Sequence, residues 1–205
     1  MYLLYDAAHA IFSVIFRPLF KFKVIGKENV PASGPVILAS NHASNLDPLL
    51  IATALPRRVN FVAKEELFGP PLQRFLNTRW KAIPVRREQL DKGVLRVILA
   101  RLKAGEIIGL FPEGTRGDGE ALLPGKAGIG MIVSMAGAPV VPVYIKGSHL
   151  AFGKKNKKFK MTPITMVCGR PVEFPKEPGE SGHERYQRIS DSIMAEIEKL
   201  KSSFA

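Results

Sequence analysis

The chain has 205 residues, the length of one domain with room for a substantial core. Its 46% apolar and 23% charged residues exclude a disordered polymer. Thirty Lys and Arg against 18 Asp and Glu leave +12 at pH 7, which points to anionic partners: nucleic acid, an acidic membrane face or a phosphorylated substrate. The single cysteine, Cys168, rules out an intrachain disulfide, and with His9, His42, His149 and His183 it gives no metal framework. Cys168 ends the apolar run Thr165-Met166-Val167-Cys168, so it is expected to pack in a buried strand.

Met1 to Phe20 is the most apolar stretch. It is too interrupted for a membrane span, and it lacks the basic start and cleavage site of a signal peptide. Asp6, His9, Ser13 and Arg17 recur at spacings of three, four and four, one narrow polar stripe on a helix. The remaining apolar surface needs cover, either from the protein's own core or from a bilayer surface in which the helix lies. Pro18 is expected to break the helix and turn the chain into Phe20 to Val24.

Pro35 to Ala39 reads as a buried strand ending at Ser40-Asn41-His42, after which Asp47 is expected to cap a short helix with Pro48 in its first turn. Val59 to Ala63 and Ala82 to Val85 are further strands. A helix is expected from Leu90 to Ala104, with Leu90, Val94, Ile98 and Leu102 on one face and Gly105 as its stop. Ile107 to Phe111, Val140 to Ile145 and Ile164 to Val167 read as strands, and Gly125 to Ala136 as a helix stopped by Gly137. Ser181-Gly182-His183-Glu184 is a capping box for a last helix with Tyr186, Ile189, Ile193, Ile197 and Leu200 as its apolar stripe. His183 then lies solvated in the first turn. The alternation predicts a single α/β domain with a largely buried sheet flanked by helices.

Asn41-His42-Ala43-Ser44-Asn45-Leu46-Asp47-Pro48 follows a buried strand. Five residues is the wrong spacing for one helix face, and proline disfavours αR at Asp47, so the segment is expected to be a tight loop. Such a loop can fold Asp47 onto the imidazole, fixing one ring nitrogen and leaving the other as a base. It can equally leave Asp47 as a simple helix cap. Phe111-Pro112-Glu113-Gly114-Thr115-Arg116-Gly117 also follows a strand and gathers amides, a hydroxyl and a guanidinium, groups suited to phosphate. Arg86 and Arg87 stand at another strand end, and Lys126 at a glycine-flanked helix start where anions bind. Lys154-Lys155-Asn156-Lys157-Lys158-Phe159-Lys160 can meet an anionic lipid surface or an acidic carrier protein, or be a solvated loop.

Taken in order, the His-x4-Asp block, the strand-arginine block, Phe-Pro-Glu-Gly-Thr-Arg and Val141-Pro142-Val143 resemble the glycerolipid acyltransferase family, and within it the bacterial 1-acyl-sn-glycerol-3-phosphate acyltransferases. The resemblance implies a mixed sheet of the glycerol-3-phosphate acyltransferase kind at 21–205, preceded by a membrane-associating helical segment at 1–20. It implies His42 as general base, Asp47 as its orienting partner, and Arg87, Glu113, Gly114, Thr115 and Arg116 as residues of the glycerophosphate site, to which Lys126 is added as an anion-binding candidate. Arg86, Asn41, Ser44 and Pro142 are secondary candidates, Pro142 on the acyl-donor side. Arg86 stands where an acidic residue is often seen, and its extra charge is expected to tune headgroup choice.

The activity implied is transfer of a fatty acyl group from acyl-CoA or acyl-carrier protein to lysophosphatidic acid. The acceptor's oxygen attacks the thioester directly, with no covalent enzyme step, so Ser44 is not expected to be a nucleophile. Backbone amides near the His42 loop are expected to stabilise the oxyanion. No cofactor and no metal are implied, and the partners are the lysophospholipid, the thioester donor and an anionic membrane surface on the cytoplasmic face. Another lysolipid or glycerol 3-phosphate is the alternative acceptor, and a non-catalytic basic lipid-binding module the alternative class. Nucleic acid is not expected, because the strand and zinc motifs of such binders are missing.

Overall fold

The computed structural model describes residues 3–71, 74, 77–78, 82–85, 91–154, 159–177 and 179–204. Seven strands form one mixed sheet in the order β1-β7-β6-β2-β5-β3-β4. They are β1 (Lys23–Ile25), β2 (Val36–Ser40), β3 (Val59–Lys64), β4 (Ile83–Val85), β5 (Ile107–Leu110), β6 (Val140–Lys146) and β7 (Thr165–Cys168). All neighbouring pairs are parallel except β6 with β7. The central strands β2 and β5 are buried at every position, as expected of a parallel sheet covered on both faces.

Alternate strand residues feed two cores. On one face Val36, Leu38, Phe61, Val141 and Val143 pack with α1 (Leu3–Leu19) and α2 (Asp47–Ala54). On the other, Ile37, Ala39, Ile108 and Tyr144 pack with α3 (Lys92–Lys103), α4 (Ala127–Ala136) and α6 (Gly182–Ser202). A short α5 (Ser148–Phe152) follows β6. The last helix has the expected capping box, with Ile189, Ile193 and Ile197 buried. Cys168 is buried in the first core, and burial pushes its thiol up to about 12, so it packs rather than reacts.

Two local expectations are corrected, and a third, the helix end at Pro18, holds to within one residue. Asp47 is the first residue of α2 rather than its cap, because its carboxylate turns back into the preceding loop; Leu46 holds the cap position without a side-chain bond. Proline therefore did not keep Asp47 out of the helix. The third helix begins at Lys92, where Asp91 Oδ1 accepts from the Val94 N–H at 2.8 Å; Leu90 lies outside the described residues. Pro18 sits inside the last turn of α1, and the helix ends one residue later.

Of the covers weighed for the first helix, the protein's own core takes one face. Phe16 and Phe20 are buried in the core, Phe12 packs against it, and His9 Nε2 donates to the Leu55 carbonyl at 3.0 Å. Positions 9, 12, 16 and 20 share one face. Ile11, Val14 and Ile15 lie on the opposite face, 55%, 71% and 44% exposed. The polar stripe thus meets the protein at His9, and an apolar face looks outward; the side chains of Asp6 and Ser13 lie outside the described set.

Candidate active site

Because β2, β5 and β6 run parallel, the loops after them leave the same edge of the sheet, where ligands collect in open α/β folds. The β2 loop carries His42. Its Nδ1 donates to Asp47 Oδ2 at 2.9 Å, and the same oxygen accepts the Ala43 and Ser44 N–H groups, each at 2.8 Å. Asp47 is fully buried, whereas the His42 side chain is 18% exposed. The bond fixes the proton on Nδ1 and leaves Nε2 with its lone pair and no partner among the described residues.

The β5 loop grips the backbone on either side of the ring. Glu113 Oε1 accepts the His42 N–H at 2.9 Å, and the Gly117 N–H donates to the His42 carbonyl at 2.8 Å. Glu113 Oε2 accepts the Leu123 N–H at 3.3 Å. Burial pushes the Glu113 carboxyl above its ordinary range, against the two backbone donors that pull it down. Glu113 is a strut of the His42 loop: it is 3% exposed, and both oxygens hold backbone amides.

The imidazole lies flat on Phe111, with ring centroids 4.0 Å apart and planes 17° apart, and Phe61 stacks behind Phe111 at 5.8 Å. Gly109 makes room for that backing, since a methyl there would overlap the Phe61 ring. Neither phenylalanine is expected at the site from chain order alone; the only signal was Phe111 heading the Pro-Glu-Gly-Thr-Arg block.

The remaining expected residues divide. Asn41 is buried and pairs with both the N–H and the carbonyl of Ile145, which ties the His42 loop to β6. Ser44 is fully buried; its hydroxyl donates to the Phe152 carbonyl at 2.7 Å and accepts from the Leu46 N–H. Gly114 takes φ +65° and lies under Lys126, whose Cδ would stand 2.9 Å from an added Cβ. Thr115 is exposed beside half-buried Arg116. Arg116 and Lys126 have no ion-pair partner among the described residues. Pro142 is inside β6, opposite Ala39 and against Gly169. Arg86 and Arg87 follow β4 but lie outside the described residues. In the His42 loop the N–H groups of His42, Ala43, Ser44, Leu46 and Asp47 are bonded within the protein.

Residues 21–146 match the Acyltransferase family model. The chain belongs to that family. The acyltransferase is 29% identical over 181 residues to the 1-acyl-sn-glycerol-3-phosphate acyltransferase of Bacillus subtilis (strain 168), a match covering 88% of each chain. It is 32% identical to the protein of the same description from Limnanthes douglasii, over 73% of this chain and 54% of that longer one. Its fold matches the crystal structure of the 1-acyl-sn-glycerophosphate (LPA) acyltransferase PlsC from Thermotoga maritima at a TM-score of 0.71 and 25% identity, covering 96% of this chain and 82% of that one. The acyltransferase therefore has the α/β sheet, the helical flanks and the His-x4-Asp pair read from its sequence, with acyl-CoA or acyl-carrier protein as the family's acyl donors.

Proposed function

We propose that this acyltransferase moves a fatty acyl group from an acyl thioester to the sn-2 hydroxyl of lysophosphatidic acid, giving phosphatidic acid at the cytoplasmic face of the membrane. The observation that carries the reading is the His42 Nδ1–Asp47 Oδ2 bond at 2.9 Å, with Nε2 and the cations Arg116 and Lys126 of the neighbouring loop unpaired among the described residues. The relatives' acceptor, 1-acyl-sn-glycerol 3-phosphate, supports the choice of substrate. In the proposed step Nε2 takes the acceptor's hydroxyl proton as that oxygen attacks the thioester carbonyl carbon. The ester C–O bond forms, the C–S bond breaks, and the proton passes from His42 to the departing thiolate. Aligned base catalysis of this kind contributes roughly 10²–10⁴ in rate.

The phosphate is proposed to lie across Gly114 and Thr115 between Arg116 and Lys126, with Arg87 as a further cation. Glycerophosphate binding and base catalysis then come from two adjacent loops. The outward apolar face of Ile11, Val14 and Ile15 supports a helix lying in the lipid surface, and the +12 charge supports an anionic leaflet. Lys154 and Lys160 are proposed to add to that contact; Lys155, Lys157 and Lys158 lie outside the described residues. The test is product analysis by mass spectrometry with lysophosphatidic acid, other lysophospholipids and glycerol 3-phosphate offered in parallel, each with acyl-CoA and with acyl-carrier protein donors. Phosphatidic acid as the dominant product supports the proposal. Faster acylation of another acceptor replaces the substrate and keeps the site.

A further inference from the structure

Resting on His42 as the base, we infer that Phe111 acts in the reaction itself: the face of its ring stabilises the imidazolium that His42 becomes on taking the acceptor's proton. The ring centroids are 4.0 Å apart and the planes 17° from parallel, so the π-face covers one side of the imidazole. A cation within about 6 Å of an aromatic centroid is attracted by the ring quadrupole. Neutral imidazole stacks on the same face without that charge term. The attraction is therefore stronger after proton transfer than before it, which is the condition for accelerating the step rather than merely binding the ring.

A second ring backs Phe111. Phe61 stacks behind it at 5.8 Å with planes 15° apart, and Phe61 is itself 9% exposed, lying over Gly109 of the neighbouring strand. Two carboxylates also favour the cation. Asp47 bonds its Nδ1, and Glu113 bonds its backbone N–H. Phe111 supplies the contribution at the face of the ring it covers, whereas Asp47 bonds the ring edge at Nδ1.

A residue that only held the imidazole flat would do so through its shape. Fluorinated phenylalanines separate the two roles, since fluorine withdraws charge from the ring face and nearly keeps its outline. The experiment replaces Phe111 with mono-, di- and trifluorophenylalanine in the full chain and measures kcat and both KM values with lysophosphatidic acid and acyl-CoA, beside His42→Ala. The expected result is a stepwise fall in kcat with each fluorine, totalling about 2- to 30-fold, with both KM values unchanged. A flat series, in protein whose His42→Ala variant is inactive, overturns the inference and leaves the base in place. Rising KM with constant kcat reduces Phe111 to a structural support and overturns it as well. Full activity in His42→Ala removes the base, and the inference falls with it.

Discussion

Replacing Asp47 by asparagine separates the charge of this carboxylate from its geometry. All three of its hydrogen-bond donors meet one oxygen, Oδ2, while Oδ1 is buried with no partner among the described residues. Asparagine can put its amide oxygen at the Oδ2 position and its NH₂ at the Oδ1 position. The flipped amide would aim NH₂ at the Ala43 and Ser44 N–H groups, so the native orientation and the Nδ1–H tautomer persist. What is lost is the negative charge facing the imidazolium. Two unit charges about 4 Å apart interact by about 4 kcal/mol at an effective dielectric of about 20, and a neutral amide dipole recovers part of that. The expected fall in kcat is about 10²–10³, with donor and acceptor KM held and stability lower by about 1–3 kcal/mol for the NH₂ buried without a partner. Asp47→Ala differs in kind. It strands two buried N–H groups at about 1–3 kcal/mol each, so it unfolds more easily by about 2–6 kcal/mol. Steady-state thiol release and chemical denaturation on the two variants make the comparison. Wild-type kcat in Asp47→Asn, or denaturation as easy as in Asp47→Ala, would refute the reasoning.

Three more outcomes follow from the same geometry. Burial raises the Glu113 carboxyl, so the folded chain keeps this proton to higher pH than the unfolded one; the stability of wild type relative to Glu113→Gln should be greatest below about pH 4.5 and fall as pH rises through the raised value. Denaturation curves between about pH 4 and pH 8 check this, and a difference that grows with pH contradicts it. Arg116→Ala removes a charge-assisted bond to phosphate of about 1.5–3 kcal/mol, so the acceptor KM rises about 10- to 150-fold while the donor KM holds; an unchanged acceptor KM counts against the assignment. Serine at Ile11, Val14 and Ile15 leaves the docked face of Phe16 and Phe20 intact, and co-sedimentation with anionic vesicles should drop at least about tenfold. Undiminished sedimentation would exclude this face as the lipid contact.

What could be read from the sequence was local. His42 and Asp47 are five residues apart on one loop, so their pairing needed no knowledge of the sheet. The capping box and the stripe of Ile189, Ile193 and Ile197 are likewise complete within one helix. The use of Glu113 is not local: it holds the His42 N–H across 71 residues, and only the adjacency of β2 and β5 brings them together. A glutamate in a glycine-threonine-arginine loop otherwise looks like part of a polar ligand site. Phe111 and Phe61 were hidden for the same reason, since an aromatic residue at a strand end gives no sign of what stacks on it. Asp47 was misplaced by one residue because a helix-starting carboxylate usually points forward to its own helix, and this one points back to Ala43 and Ser44. The first helix was ambiguous because it is apolar on two faces for two reasons, the core on one side and open surface on the other.

The central claim is that His42 moves the acceptor's proton. The most direct measurement is thiol release from acyl-CoA by purified wild type and His42→Ala, with and without lysophosphatidic acid. The account predicts release that depends on the acceptor in wild type and falls by about 10²–10⁴ in the variant, with the fold retained. Equal acceptor-dependent release from both proteins would contradict it.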